Sequence, residues 1–354
     1  MFTQTNGSRI LSYVDALREA VCQEMDSDER VFVFGLDVDD HKGIQGSTLG
    51  LQERFGEERV FGTPLSEDAM TGVAIGAAVA GLRPIHVHIR MDFLLLCMNQ
   101  LVNVAAKAHY MYGGSVRVPL VVRSIIGQSW GQGAQHSQGL HSLFMHVPGL
   151  KVVAPSNAHD AKGCMIAAIR DDNPVIFVEH RLLYSTKAYV PVDPYTTEFG
   201  RGRICAKGDD ITVVAISNMV IESLRARELL AEVGISAEVI DPISLAPLDA
   251  ELIGRSAART GKMLVIDNAW TACGASAEII ARVTESVERP IHVARMGFAP
   301  TPCPPSPPLE RGFYPNPVSI AAKAFSMVRP RSDSWQPDDQ HAMLAHKLEF
   351  RGPF

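Results

Sequence analysis

Paired cysteines are absent from this chain. Its six cysteines, at positions 22, 97, 164, 205, 273 and 303, are scattered, and no two form a C-x-x-C pair. This argues against a zinc site built on paired thiolates and against a disulfide framework; reduced thiols in a cytoplasm fit best. A large excess of one sign of charge is absent as well. A net charge of -6 over 354 residues, with no lysine/arginine cluster and no interleaved aromatic stripe, leaves no footprint for nucleic acid. The longest run of low polarity, Met70 to Leu82, is too short to cross a bilayer. The N-terminal stretch lacks the basic start and unbroken apolar core of a secretory signal. No G-x-G-x-x-G follows the first strand and no glycine loop ends in G-K-[ST], so a nucleotide site is not supported.

What is present is the composition of an ordinary globular protein, 46% apolar and 20% charged, long enough for two domains with a core each. After a polar lead-in and an amphipathic helix carrying Asp15, Glu19 and Glu24, apolar runs alternate with helical periodicity. VFVFGLDV (31–38), RPIHVHI (83–89), VPLVVRSI (118–125), KVVAPS (151–156) and PVIFVEH (174–180) read as buried strands, with helices over 68–82, 92–112 and 157–170. The pattern then repeats: ITVVAIS (211–217), SAEVID (236–241), KMLVID (262–267) and PIHVAR (290–295), with helices to Leu230, around 249–260 and over 274–285. This predicts an α/β protein of two parallel-sheet domains, residues 1–190 and 207–328, joined by a linker over 191–206 and followed by a polar tail over 329–354.

Two stretches carry candidate chemistry. TPLSEDAMTGVAIGAAVAGL (63–82) puts Glu67 at the mouth of a helix so rich in glycine and alanine that another backbone is expected to press on it. An acid beside a tightly packed apolar helix start is poorly solvated and suited to proton chemistry; equally, it serves as an N-terminal acid of the helix, and both readings stay open on these residues alone. Parallel sheets bind ligands at the carboxyl ends of their strands, where GQSWGQGAQHSQGLHS (127–142) supplies four glycines and two histidines. A histidine on such a loop is placed either for proton transfer near neutral pH or for bracing the loop.

The segments GLDV, RFGEERVFGTPLSEDAMTGVAIGAAVAGLRPI, DFLLLCMNQLVNVAAK, VPLVVR, QHSQ, PGLKVVAPSNAHDAKG, DDNPVIFVEHRLLY, AEVIDPISLAPLD and GASAEI occur in this order from about residue 10 to about residue 328. Together they resemble the β subunits of thiamine-diphosphate-dependent 2-oxoacid dehydrogenases, the family of the pyruvate, branched-chain 2-oxoacid and acetoin dehydrogenases. The resemblance implies a transketolase-type pyrimidine-binding domain followed by a transketolase C-terminal domain, assembled with an α subunit as an α2β2 heterotetramer. It further implies decarboxylation of a 2-oxo acid, or cleavage of acetoin, with transfer of the acyl group to lipoamide on a lipoyl acyltransferase. A two-subunit transketolase-type or acyloin-forming carboligase without lipoyl transfer is the alternative, and a non-catalytic β-like subunit the second.

By the same resemblance Glu67 falls on the glutamate that hydrogen-bonds the ring nitrogen of the cofactor's aminopyrimidine and favours its imino tautomer. Leu65 matches a residue presenting backbone to that ring, Phe93 the aromatic on its face, and His136 the histidine that handles the intermediate and acyl transfer. Leu36 stands where the family carries an acid near the cofactor. His86, His88 and Arg90 stand where the family tends to have an acid, a glutamine and often an aromatic; they add donors for an anionic substrate or, equally, face solvent or the α subunit. A structural potassium ion, seen in some members, would lie by position among Val118, Leu120, Ala168, Asp171 and Asn173. This chain has no G-D-G followed by asparagine at the spacing that binds magnesium and diphosphate. In the family that motif lies on the α subunit, so the chain alone is expected to be inactive.

Overall fold

A computed structural model describes residues 9–127 and 131–343; the polar lead-in, residues 128–130 of the glycine loop and the end of the tail lie outside the described residues. The chain forms two compact units: residues up to Ile126 together with Leu143–Phe199, and Gly127–Ser142 together with residues from Gly200 onward.

In the first unit the strands run in the order Lys151–Val153, Val175–His180, Val121–Ile126, Arg83–His88, Val31–Gly35 and Val60–Gly62, each parallel to its neighbour. The central strands are buried along nearly their whole length, which is why they read as largely apolar runs rather than alternating ones. Helix Tyr13–Ser27 starts at Ser12, whose hydroxyl accepts from the Asp15 amide, and packs against helix Ala158–Arg170, capped in the same way by Asn157. Between strands Val121–Ile126 and Val175–His180 lies a fully buried ion pair: Arg123 donates Nε to Glu179 Oε1 at 2.6 Å and Nη2 to Oε2 at 2.9 Å.

The long helix expected over 92–112 is three pieces: a 3₁₀ segment Met91–Cys97, a π segment Asn99–Ala105 and an α-helix Ala106–Met111. The reason is a spacing of three. Met91, Leu94 and Cys97 are all buried, and a 3₁₀ helix sets residues three apart on one line. Helix Glu67–Val79 also departs from expectation. Among the described residues no backbone presses on its glycines: a Cβ on Gly72 would meet only the side chain of Gln100 at 3.8 Å, and one on Gly76 would meet nothing within 4 Å.

The second unit has the strand order His292–Phe298, Lys262–Trp270, Ile211–Ala215, Ala237–Asp241 and Arg203–Ala206. Four are parallel, but Arg203–Ala206 runs antiparallel at the edge, so this sheet is not wholly parallel. The added strand falls in the stretch expected as linker. Its four residues, RICA, are partly exposed and too few to stand out as a buried run. Helices Met219–Glu232 and Pro317–Val328 pack together and helices Ala250–Thr260 and Ala275–Ser286 do likewise. The described part of the tail is docked: Trp335 lies 5.0 Å from the Phe325 ring, and Arg225 donates to the Met343 carbonyl at 2.6 Å. All six cysteines are free thiols. No helix of the described residues is long and apolar enough to cross a membrane.

Candidate active site

The first unit gathers its candidate residues at the carboxyl ends of the strands. Strand Val31–Gly35 ends on a glycine because a Cβ there would sit 2.3 Å from the Val87 carbonyl oxygen of the neighbouring strand. Leu36 follows, half-buried. The Gly35 carbonyl accepts from the Thr63 amide at 3.1 Å, which brings the turn Thr63–Ser66 beside Leu36. On that turn Leu65 is 76% exposed, and Glu67, half-buried, is the first residue of helix Glu67–Val79. The Met91–Cys97 segment packs against this helix and presents Phe93, 36% exposed. Burial, opposed by a Thr71 hydrogen bond and aided by the carboxylates of Glu67 and Asp68, pushes the Cys97 thiol up to about 11, so Glu67 stands within electrostatic reach of the turn that carries Phe93.

His86 and His88 share one face of strand Arg83–His88, but neither meets solvent. The His86 ring stacks on Phe34 at 4.5 Å and touches the His88 ring at 4.3 Å. Burial lowers the His88 imidazole to about 4, and burial with the nearby His88 holds His86 well below its ordinary value. Both rings are therefore uncharged at neutral pH, and His88 offers a neutral imidazole rather than a cation. Arg90, half-buried, donates Nη1 to the Ile89 carbonyl at 3.3 Å. Because the folded His88 titrates below the unfolded value of about 6.5, its contribution to stability is complete above that pH and is lost as pH falls toward 4. A His88→Phe variant is expected to escape about 3 kcal/mol of this acid destabilisation, read as a flatter dependence of the urea midpoint on pH between 6.5 and 4.

The oxygens implied for potassium lie at the amino ends of strands Val121–Ile126 and Val175–His180 and at the C-terminal end of helix Ala158–Arg170. The Val118, Leu120 and Ala168 carbonyls accept from the amides of Leu120, Val175 and Asp171. Asp171 accepts from the Asn173 amide at 2.9 Å and pairs with the Lys151 ammonium. A cation already sits on Asp171, and the three carbonyls are satisfied by protein groups. Among the described residues no group of three or more His, Cys, Asp or Glu side chains is arranged to hold a metal ion.

His136 belongs to the second unit, because the glycine loop docks there. A Cβ on Gly131 would lie 2.5 Å from the Pro305 oxygen and one on Gly139 only 1.8 Å from the Asn268 oxygen. The loop therefore lies directly on backbone at both ends. His136 is half-buried between these points. His141, the second histidine of the loop, is wholly buried with its Nε2 2.9 Å from Asp267 Oδ1. Sequence reasoning passed over this pair, since only the presence of two loop histidines hinted at it.

The class is that of the transketolase-type proteins, by similarity over both units. The chain matches the family description "Transketolase, pyrimidine binding domain" over residues 10–187 and "Transketolase, C-terminal domain" over residues 200–320. A solved structure titled "Split gene transketolase, inactive beta4 tetramer" shares the fold, with a TM-score of 0.74 at 23% identity, covering 90% of this chain and 100% of that one. Within that class the chain belongs to the family of β subunits of 2-oxoacid and acetoin dehydrogenases. It is 40% identical over 337 residues to the acetoin:2,6-dichlorophenolindophenol oxidoreductase subunit beta of Bacillus subtilis, covering 91% of this chain and 98% of the relative. It is 39% identical over 326 residues to the mitochondrial pyruvate dehydrogenase E1 component subunit beta of Ascaris suum (89% of each), and 40% identical over 319 residues to the 2-oxoisovalerate dehydrogenase subunit beta of Bacillus subtilis (88% and 97%).

Proposed function

We propose that the chain, assembled with an α subunit, decarboxylates a 2-oxo acid or cleaves an acyloin and passes the acyl group to lipoamide. The observation that carries the reading is the corner formed by Leu65, Glu67 and Phe93. It combines an exposed aliphatic residue, an exposed aromatic and one carboxylate at a helix start. Such a set suits a flat heteroaromatic ring with a basic nitrogen, and so fits the aminopyrimidine of thiamine diphosphate. When bound, the cofactor supplies a carbon nucleophile that attacks a carbonyl and holds the electrons of the broken carbon–carbon bond. Glu67 holds a proton at the ring nitrogen, Leu65 presents backbone to the ring and Phe93 packs on its face. His136 donates or holds a proton for the reacting carbonyl and acyl group. Magnesium and diphosphate fall to the α subunit, in keeping with the missing G-D-G motif.

The partner has a place to bind. Val73 is 52% and Leu96 58% exposed, Val79 and Leu95 are exposed too, and Gly76 opens onto empty space on the same helix. Apolar surface of this kind, flanking a site that lacks half its ligands, suits a protein interface. Val73→Glu is expected to weaken assembly with the α subunit at least about 100-fold, by putting an unpaired charge into apolar contact, while the chain stays folded. Sedimentation of the mixed subunits checks this.

The test of the function is co-expression with an α subunit carrying G-D-G and asparagine. Thiamine-diphosphate binding and lipoyl-dependent turnover are expected of the complex. Absence of cofactor binding overturns the reading, and aldehyde-dependent carbon–carbon bond formation without lipoyl turnover replaces it with a carboligase.

A further inference from the structure

The second unit holds a buried pair that the proposed chemistry does not use. In its sheet the chain leaves strand Ile211–Ala215 for Ala237–Asp241 on one side and returns to Lys262–Trp270 on the other. Doubly wound sheets bind ligands at such a reversal, outside the carboxyl ends of the strands that part there. Here the chain's own glycine loop occupies the place. Asn268 Nδ2 donates to the Ile216 carbonyl at 2.8 Å across the two strand ends, and Gly139 lies against the Asn268 carbonyl so closely that no side chain fits. Two residues later His141 Nε2 meets Asp267 Oδ1, both side chains having no exposed surface. Asp267 Oδ2 comes within 3.4 Å of where a Cβ on Gly274 would sit, and Gly274 caps the N-terminus of helix Ala275–Ser286. The positive end of that helix favours the carboxylate, so Asp267 accepts and His141 donates.

We infer that His141, held by Asp267, is a positioning residue for His136. The inference rests on the role proposed for His136 above. The imidazole of His136 lies five residues before this anchor and five after the contact of Gly131 with Pro305, and the neighbouring Ser137 is buried. A loop pinned at both ends holds the side chain between them in one place. Releasing the His141 end lets that side chain shift by about 1 Å, and a shift of this size costs up to about 100-fold in rate.

The test is a set of variants in the complex with the α subunit and thiamine diphosphate. His141→Phe and Asp267→Leu are each expected to lower kcat about 10- to 100-fold, with KM and cofactor affinity within threefold of wild type. Asp267→Asn, whose amide oxygen still accepts from Nε2, is expected to recover most of the rate. Added to His136→Ala, His141→Phe is expected to slow turnover less than twofold further, because its effect runs through His136. Should His141→Phe fail to fold, Asp267→Leu and His141→Gln carry the same comparison. An undiminished effect of the second substitution on the His136→Ala background, or a parallel loss of cofactor affinity, overturns the inference while the role of His136 stands. A His136→Ala complex as fast as wild type overturns both.

Discussion

Glu67→Gln is expected to slow turnover of the assembled enzyme by roughly 10²- to 10⁴-fold, the range for loss of a positioned proton-transfer group. The substitution keeps shape and volume and removes only the charge and proton affinity. Its structural cost is small: Glu67 is the first residue of helix Glu67–Val79, half-buried, and Asp68 remains in the same turn. Losing one acid at a helix N-terminus costs about 0.5 kcal/mol. A large fall in kcat with an unchanged melting profile therefore reports chemistry rather than folding. Glu67→Asp, which withdraws the carboxylate by one methylene, is expected to fall between the two. If Glu67→Gln retains turnover within threefold of wild type, Glu67 is a helix-end acid and nothing more.

Arg123→Ala is expected to destabilise the first unit by about 3–5 kcal/mol, the cost of breaking a buried ion pair on one side only. Burial works against the Arg123 charge, but the Glu179 carboxylate and its two hydrogen bonds outweigh it and raise the guanidinium above its ordinary value. Tyr184 also donates to Glu179 at 2.6 Å, and burial followed by the Glu179 charge keeps its phenol protonated. Without Arg123 the carboxylate keeps a single neutral donor in a site closed to water. Replacing both charges, as Arg123→Met with Glu179→Leu, is expected to restore most of the loss, leaving the Tyr184 hydroxyl unpartnered at about 1–3 kcal/mol. Tryptophan fluorescence is the wrong probe: the described tryptophans, Trp270 and Trp335, belong to the second unit. Amide exchange in strands Val121–Ile126 and Val175–His180 reads the effect directly.

The strands were legible because parallel strands buried on both faces write themselves as unbroken apolar runs, as in VFVFG and PVIFVEH. The 3₁₀ and π segments were not, since a spacing of three resembles the helical period over so few residues. Arg203–Ala206 was hidden by its shortness and partial exposure at a sheet edge. Glu67 could be singled out from the residues around it, although its role came from resemblance alone. His141 with Asp267 lies 126 residues apart in sequence, and no local pattern announces a partnership made only by folding. The same holds for Arg123 and Glu179, where a charge inside an apolar run was the single clue. The spacing of His86 and His88 sets them on one face of a strand, but the stacking of His86 on Phe34 is a property of the assembled sheet.

The excursion at Gly127–Ser142 means that neither unit is a continuous stretch of chain. A fragment cut at Phe199 would retain the six parallel strands of the first unit, yet it would carry an orphan loop: Gly139 without the Asn268 carbonyl and His141 without its acid. Dissecting this protein into separately expressed halves thus calls for excising the loop and closing the gap between Ile126 and Leu143. The complementary half would have to receive that loop at a new terminus. Rearrangements in evolution that swap one half for another face the same obstacle, since a crossover at the linker would part the histidine loop from the surface that seats it.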